Sequence, residues 1–308
     1  MIDPSPFDPR SPEARAIAQL FDQTLVVCAV IGTLVALLLL IVVVRFRASV
    51  RPAEPPQVHG HKALEFAWTL LPLAIVIGLF VLTARAMAAS DPPANREPDL
   101  VVIGHQWWWE ARYPSGAVTA NEIHVPAGKD LLVRVESADV IHDFWVPQLG
   151  RKVDATPGHP THIWLQAEAP GTYTGACAEY CGSEHAWMRI VVVAQPQAEF
   201  DAWERHERAQ TLAPPDGAPM HGASLFVNKT CVKCHAIAGL GEQVQVAPDL
   251  THLAERRTLG AGVIDNDPAN LARWLRDPQG VKPGSHMPDL NLTDDEVNDL
   301  VAYFETLR

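Results

Sequence analysis

Cys177-Ala178-Glu179-Tyr180-Cys181-Gly182-Ser183-Glu184-His185-Ala186-Trp187-Met188 packs two thiols, an imidazole and a thioether into one short segment. Thiolate and thioether are soft donors that select copper, and imidazole suits it too. Cys177 and Cys181 stand four apart, so a tight loop can turn both sulfurs toward one point, where they can bridge two metal ions. His185 and Met188 continue that loop, and His142 arrives from a separate stretch, Val140-Ile141-His142-Asp143-Phe144-Trp145-Val146-Pro147, to close the site. A zinc knot of two Cys and two His is the competing reading, and it leaves Met188 without a role. Around the loop, from Leu100 to Ala194, short β-rich runs such as Leu100-Val101-Val102-Ile103 and Ile190-Val191-Val192-Val193 alternate with turns at Pro114-Ser115-Gly116 and Pro170-Gly171. That pattern reads as a compact β-sandwich or barrel.

Downstream, Cys231-Val232-Lys233-Cys234-His235 has the form of a covalent c-type haem attachment site, with the histidine as an axial ligand. A thioredoxin-like pair or half a zinc site would leave His235 unexplained. Around the motif the chain reads as helical. Thr293-Asp294-Asp295-Glu296 is a capping box, and Val297, Leu300, Val301 and Phe304 form one apolar stripe after it. Two one-electron centres, with no residue set for bond-making chemistry, point to electron transfer.

Working toward the N-terminus, Leu25 to Val44 is uncharged and long enough to cross a bilayer as a helix, and Phe66 to Thr83, with Pro72 inside, is a second such run. The pair predicts a transmembrane hairpin with helices at about 25–44 and 66–84. The loop between them carries Arg45, Arg47, Arg51 and Lys62, which places it in the cytoplasm and both termini outside. The net charge of −12 over 308 residues argues against nucleic acid as a partner. Of the five cysteines, four sit in the two metal-type spacings, and Cys28 falls inside the first apolar run. Residues 195 to about 218 mix a short charged helix, containing Trp203-Glu204-Arg205-His206, with a Pro-rich end, and read as a tether. Most other histidines, His61, His105, His124, His206 and His252 among them, have no second ligand nearby in sequence and are expected to be surface or structural residues.

At Gly104-His105-Gln106-Trp107, Asp139-Val140-Ile141-His142, Val146-Pro147, Lys152-Val153-Asp154-Ala155, Pro157-Gly158 and the whole 177–188 loop, the chain resembles subunit II of the haem-copper cytochrome c oxidases. Gly222-Ala223-Ser224-Leu225-Phe226 and Gly284-Ser285-His286-Met287-Pro288 resemble a class I cytochrome c fused behind it. The resemblance implies a multidomain chain: an N-terminal tail and two-helix transmembrane hairpin (1–94), an all-β cupredoxin-like sandwich (95–195), a linker (196–218) and an all-α cytochrome c domain (219–308). It implies a binuclear copper (CuA) centre held by His142, Cys177, Cys181, His185 and Met188 and by the main-chain carbonyl of Glu179. The Glu179 carboxylate would reach a magnesium at the contact with subunit I. Haem c would be held by Cys231, Cys234, His235 and Met287, with His286 a rival to Met287. Trp107 would mark where electrons enter, and Glu65, in Glu65-Phe66-Ala67-Trp68-Thr69, the mouth of a proton pathway. Glu65 also reads as an ordinary first-turn acid favoured by the helix dipole.

The expected partners are membrane lipid, oxidase subunits I and III, and an external donor such as a soluble cytochrome c or the cytochrome bc complex. The expected location is the bacterial inner membrane, with the soluble domains on the periplasmic side. A copper-bearing nitric oxide reductase, a free-standing electron carrier and a copper-delivery module are the alternatives.

Overall fold

The computed structural model describes residues 5–47, 60–91, 96–209, 213–240 and 246–308. Arg51, the expected domain join at 94–95 and linker residues 210–212 lie outside them. The chain divides into two compact units, one of residues 15–91 and one of residues 1–14 with 92–308.

In the first unit, α1 (Pro12–Arg45) and α2 (Lys62–Ser90) are long and apolar enough to cross a membrane. Both outrun the expected helices, α1 at its start and α2 at both ends. The apolar run records only the part matched to about 30 Å of hydrocarbon, whereas 34 residues rising 1.5 Å each make a helix of about 51 Å. Good helix formers at Glu13, Ala14, Arg15, Ala16 and Gln19 carry α1 past the apolar stretch. Its first turn is closed by the Ser11 hydroxyl, which accepts from the Ala14 amide at 2.9 Å. α2 starts with a reciprocal pair of cap bonds: His61 Nδ1 accepts from the Leu64 amide, and the Glu65 carboxylate accepts from the His61 amide at 3.2 Å.

The second unit holds a cupredoxin-like sandwich. One sheet contains β1 (Leu100–His105), β2 (Trp108–Arg112), β3 (Val118–Ala120), β5 (Leu131–Ser137) and β8 (Thr161–Leu165) in the order β3-β2-β1-β5-β8. The other contains β4 (Glu122–Pro126), β6 (His142–Trp145), β7 (Val153–Ala155), β9 (Gly171–Cys177) and β10 (Arg189–Gln195) in the order β4-β10-β9-β6-β7. The period of two along β9 turns Tyr173, Gly175 and Cys177 inward. Tyr173 and Cys177 join Trp109, Phe144, Ile123, Met188 and Val192 in one core between the sheets. Pairing of β6 with β9 sets Phe144 opposite Cys177, which brings the start of β6 to the end of β9.

Behind the sandwich, α3 (Gln197–Glu207) occupies the first half of the expected linker. It is fastened down rather than free. Trp203 stacks on His124 at 4.2 Å and meets Tyr113 edge-on at 5.1 Å, because Phe200 and Trp203 give this charged helix one aromatic edge.

The C-terminal module contains α4 (Ala218–Asn228), α5 (Pro268–Arg276), the short α6 (Pro278–Val281) and α7 (Asp294–Phe304). Thr293 and Glu296 form the capping box with both of its bonds, and Val297, Leu300, Val301 and Phe304 are all buried. α4 crosses α7 at Gly222, where a Cβ would strike the Asp299 carbonyl and lie 2.7 Å from Tyr303 Cβ. Overpacking of this kind costs about 1–3 kcal/mol. Gly222→Ala is therefore expected to lower the melting midpoint of this module by roughly 5–15 °C, read by circular dichroism at a helical wavelength.

Candidate copper and haem centres

The sheet register that opposes Phe144 to Cys177 also points His142, two residues from Phe144 on the same face, at the same end of β9. His142 Nδ1 lies 3.9 Å from Cys177 Sγ, and both residues are buried. The loop after β9 returns Cys181 Sγ to 3.8 Å from Cys177 Sγ, His185 Nδ1 to 3.6 Å from Cys181 Sγ, and Met188 Sδ to 3.8 Å from it. The Glu179 carbonyl oxygen lies 3.2 Å from Cys177 Sγ, while the Glu179 side chain is exposed. Donors about 2.0–2.3 Å from a shared ion stand about 3.5 Å apart. The separations here fit that spacing, and the set is soft: two sulfurs, two imidazole nitrogens and a buried thioether. A zinc tetrahedron would leave the Met188 sulfur idle. The Cys177 thiol is held far below its usual range, to about 3, by sharing a proton with Cys181 and by the His142 imidazole. The same sharing drives Cys181 up.

Two supporting residues complete this site. Asp139 Oδ1 lies 2.7 Å from His142 Nε2, so the ring donates there and turns Nδ1 toward the sulfurs. Asp139 is fixed in turn by the amides of Gln106 and Val140, both 2.6 Å away. Gly104 is required because a Cβ there would sit 2.7 Å from His142 Cδ2. Both residues stand in motifs legible in the sequence, but their support of His142 shows only when β1 and β6 are placed.

A cavity of about 300 Å³ is lined by Phe226, Cys231, Cys234, His235 and Met287 of the C-terminal module and is closed on one side by Trp107 of the sandwich. Cys231 to Lys233 form a single helical turn that presents both thiols. His235 Nδ1 donates to the Pro248 carbonyl at 2.7 Å, which leaves Nε2 with its lone pair free. Burial pushes His235 down from its usual value, so it is the neutral ligand form. An apolar cleft holding two thiols, a fixed imidazole and a thioether fits a covalently attached haem. Met287 packs into the core of this module, whereas the His286 ring turns to Trp107, 4.7 Å between centroids.

Trp107 lies between the two sites. Its indole N–H donates to the Cys181 carbonyl at 2.9 Å, beside the Gln106 amide at 2.7 Å, and only 9% of the residue is exposed. Trp109 shares its core, while Trp108 faces Ala261 of the C-terminal module. Lys282 Nζ donates to the Trp107 carbonyl and to the Gly260 carbonyl, each at 3.1 Å, and lies 3.7 Å from Glu184 Oε2. Burial pushes the Lys282 ammonium down to about 8. At the far end of the contact, Glu122 Oε1 accepts from the Arg257 and Thr258 amides at 2.7 and 3.3 Å. Neither acid nor lysine carries a sequence signal, since only the docked modules bring them together. His105, expected at the surface or in a structural place, is buried against Glu110 at 2.9 Å and stacked on Trp108. Glu65 belongs to the other compact unit, in the first turn of α2.

The family model for the transmembrane domain of cytochrome c oxidase subunit II matches residues 7–84, that for its periplasmic domain 115–195, and that for cytochrome c 220–308. Chains named cytochrome c oxidase subunit 2 are similar along most of their length. The one from Alkalihalophilus pseudofirmus is 34% identical over 98% of this chain and 90% of its own. That from Bacillus sp. (strain PS3) is 33% identical over 82% and 77%, and that from Bacillus subtilis 32% over 87% and 81%.

Removing an acid that orients a metal-bound histidine weakens metal binding by roughly 10–100-fold. Asp139→Ala is expected to lose copper to a competing chelator at concentrations lower by that factor, with the haem content unchanged.

Proposed function

The chain belongs to the cytochrome c oxidase subunit II family, and we propose that it is the electron-input subunit of a membrane-bound, proton-pumping cytochrome c oxidase. The observation that carries this reading is the convergence of His142, Cys177, Cys181, His185 and Met188 in the same compact unit as the haem-type cavity. Haem c and binuclear copper supply one-electron redox capacity, so that charge taken from an external donor can pass through this chain to haem a of subunit I, where oxygen is reduced to water.

The residues of this chain have distinct parts in that task. Cys231 and Cys234 would tether the haem, and His235 and Met287 would be the ligands to its iron. Cys177 and Cys181 would supply the thiolates that hold copper, at sulfurs 3.8 Å apart. His142, His185, Met188 and the Glu179 carbonyl would complete the ligand set. Met188, as the weak ligand, and the hydrogen bonds around the sulfurs tune the potential. Trp107, bonded to the Cys181 carbonyl and covered by the haem module, stands where charge crosses between the modules rather than where a free donor lands. The exposed Glu179 carboxylate is free to reach a magnesium at the surface of subunit I, and Glu65 marks the cytoplasmic mouth of a proton path in that subunit. Arg45, Arg47, Arg51 and Lys62 favour the cytoplasm for the loop between α1 and α2, which puts the copper and haem modules on the periplasmic side of the inner membrane. Fastening α3 to the sandwich keeps the haem at high effective concentration beside its acceptor.

In the purified complex, about two copper ions and one iron are expected per chain. Cys177→Ser should abolish the near-infrared copper absorption and oxygen uptake together, while leaving the haem attached. Met287→Leu should keep the haem covalently bound and lower its reduction potential, seen in a redox titration. Consumption of nitric oxide with no oxygen uptake would overturn the reading, as would a band the size of the lone chain on a native gel.

A further inference from the structure

We infer that Lys282 is a positioning residue that sets the register of the haem module on the copper loop through its buried charge pair with Glu184. The inference rests on the electron-input reading above and adds the device that aligns the two centres.

Lysine is among the residues least often buried, yet the Lys282 side chain is 5% exposed and that of Glu184 is 1% exposed. Lys282 follows α6 and lies five residues before Met287, so it moves with the haem module. Glu184 directly precedes His185, so it moves with the copper loop. Among the described residues Glu184 Oε2 has no hydrogen-bond donor, and the Lys282 ammonium at 3.7 Å is its charge partner. Two of the ammonium's protons go to main-chain carbonyls, Gly260 in its own module and Trp107 in the sandwich. One cation thus ties together the haem module, the copper loop and the main chain at Trp107.

A pair of this kind is poor glue and a strict gauge. Desolvating both charges cancels most of their attraction, but a module seated wrongly leaves each charge buried alone, which is far worse. The surface around it admits a single close approach. Gly284 has φ +97°, and a Cβ there would lie 3.1 Å from both Ser183 Oγ and Glu184 Oε1. The far end of the contact is held separately, by Glu122 and by Arg257, whose guanidinium donates to Thr172 Oγ1 at 2.8 Å. Loss of Lys282 therefore frees the copper end of the contact while the other end holds.

The test uses the purified, metal-loaded complex with Lys282→Met. Its copper and haem spectra are expected to match the parent. Hydrogen exchange in the resting, oxidised complex should rise about tenfold at 106–109 and 182–187, with 256–258 unchanged. Transfer from photoreduced haem to copper should slow by about tenfold or more and become dependent on solvent viscosity, a dependence that a purely structural residue would not create. Glu184→Gln should reproduce both effects, and combining the two substitutions should add little further loss. If Lys282→Met fails to assemble, Lys282→Gln, which keeps a donor for the Trp107 carbonyl and removes the charge, carries the same measurements. Exchange and transfer both within twofold of the parent would overturn the inference. Raised exchange in the variant, with no haem-to-copper transfer even in the parent, would sustain the seat and refute the electron-input reading instead.

Discussion

The pairing of β6 with β9 is the constraint on which the rest depends. Side chains alternate along a strand, so slipping this register by one residue would turn His142 outward and Phe144 away from the core. The strand partners prevent that slip by burying Phe144, Tyr173 and Met188 between the sheets. Backbone pairing thus brings together ligands drawn from β6, from the end of β9 and from the loop beyond. Gly104 on β1 belongs to the same device, since the opposite sheet can close over the imidazole only where no side chain projects.

The contact between the sandwich and the haem module follows a different rule. It is built from main-chain groups and buried charges more than from a greasy face: Glu122 on the amides of Arg257 and Thr258, Lys282 on two carbonyls, Arg189 N–H on the Ala261 carbonyl. Polar contacts discriminate between poses better than apolar ones because an unpaired buried group is costly while an unmatched methyl is not. Trp107 gains its position from this arrangement, with its indole tied to the copper loop and its ring against the residue before Met287.

Much of this organisation is visible in the residues themselves, because its signals are local. The apolar runs, the capping box at Thr293 and the stripe from Val297 to Phe304 each depend on neighbours a turn or two away. The copper-type donors were legible for the same reason: four, Cys177, Cys181, His185 and Met188, fall within one short segment, and their chemistry narrows the metal. Helix lengths were not, since polar helix formers extend α1 and α2 beyond the stretch that hydropathy marks. Nor was the fastening of α3, where one aromatic edge on a charged helix outweighs the composition of a linker. Lys282, Glu184 and Glu122 were silent, because a buried ion in sequence looks like any solvated one until the partner module arrives.

The anchoring of α3 also sets a leash. With Trp203 clamped on the sandwich, only the residues between Arg208 and Gly217 separate the end of α3 from the start of α4. Ten residues drawn out fully span about 35 Å. A haem module lifted from its seat would stay within that reach of the end of α3, so the tether permits a swing and forbids escape.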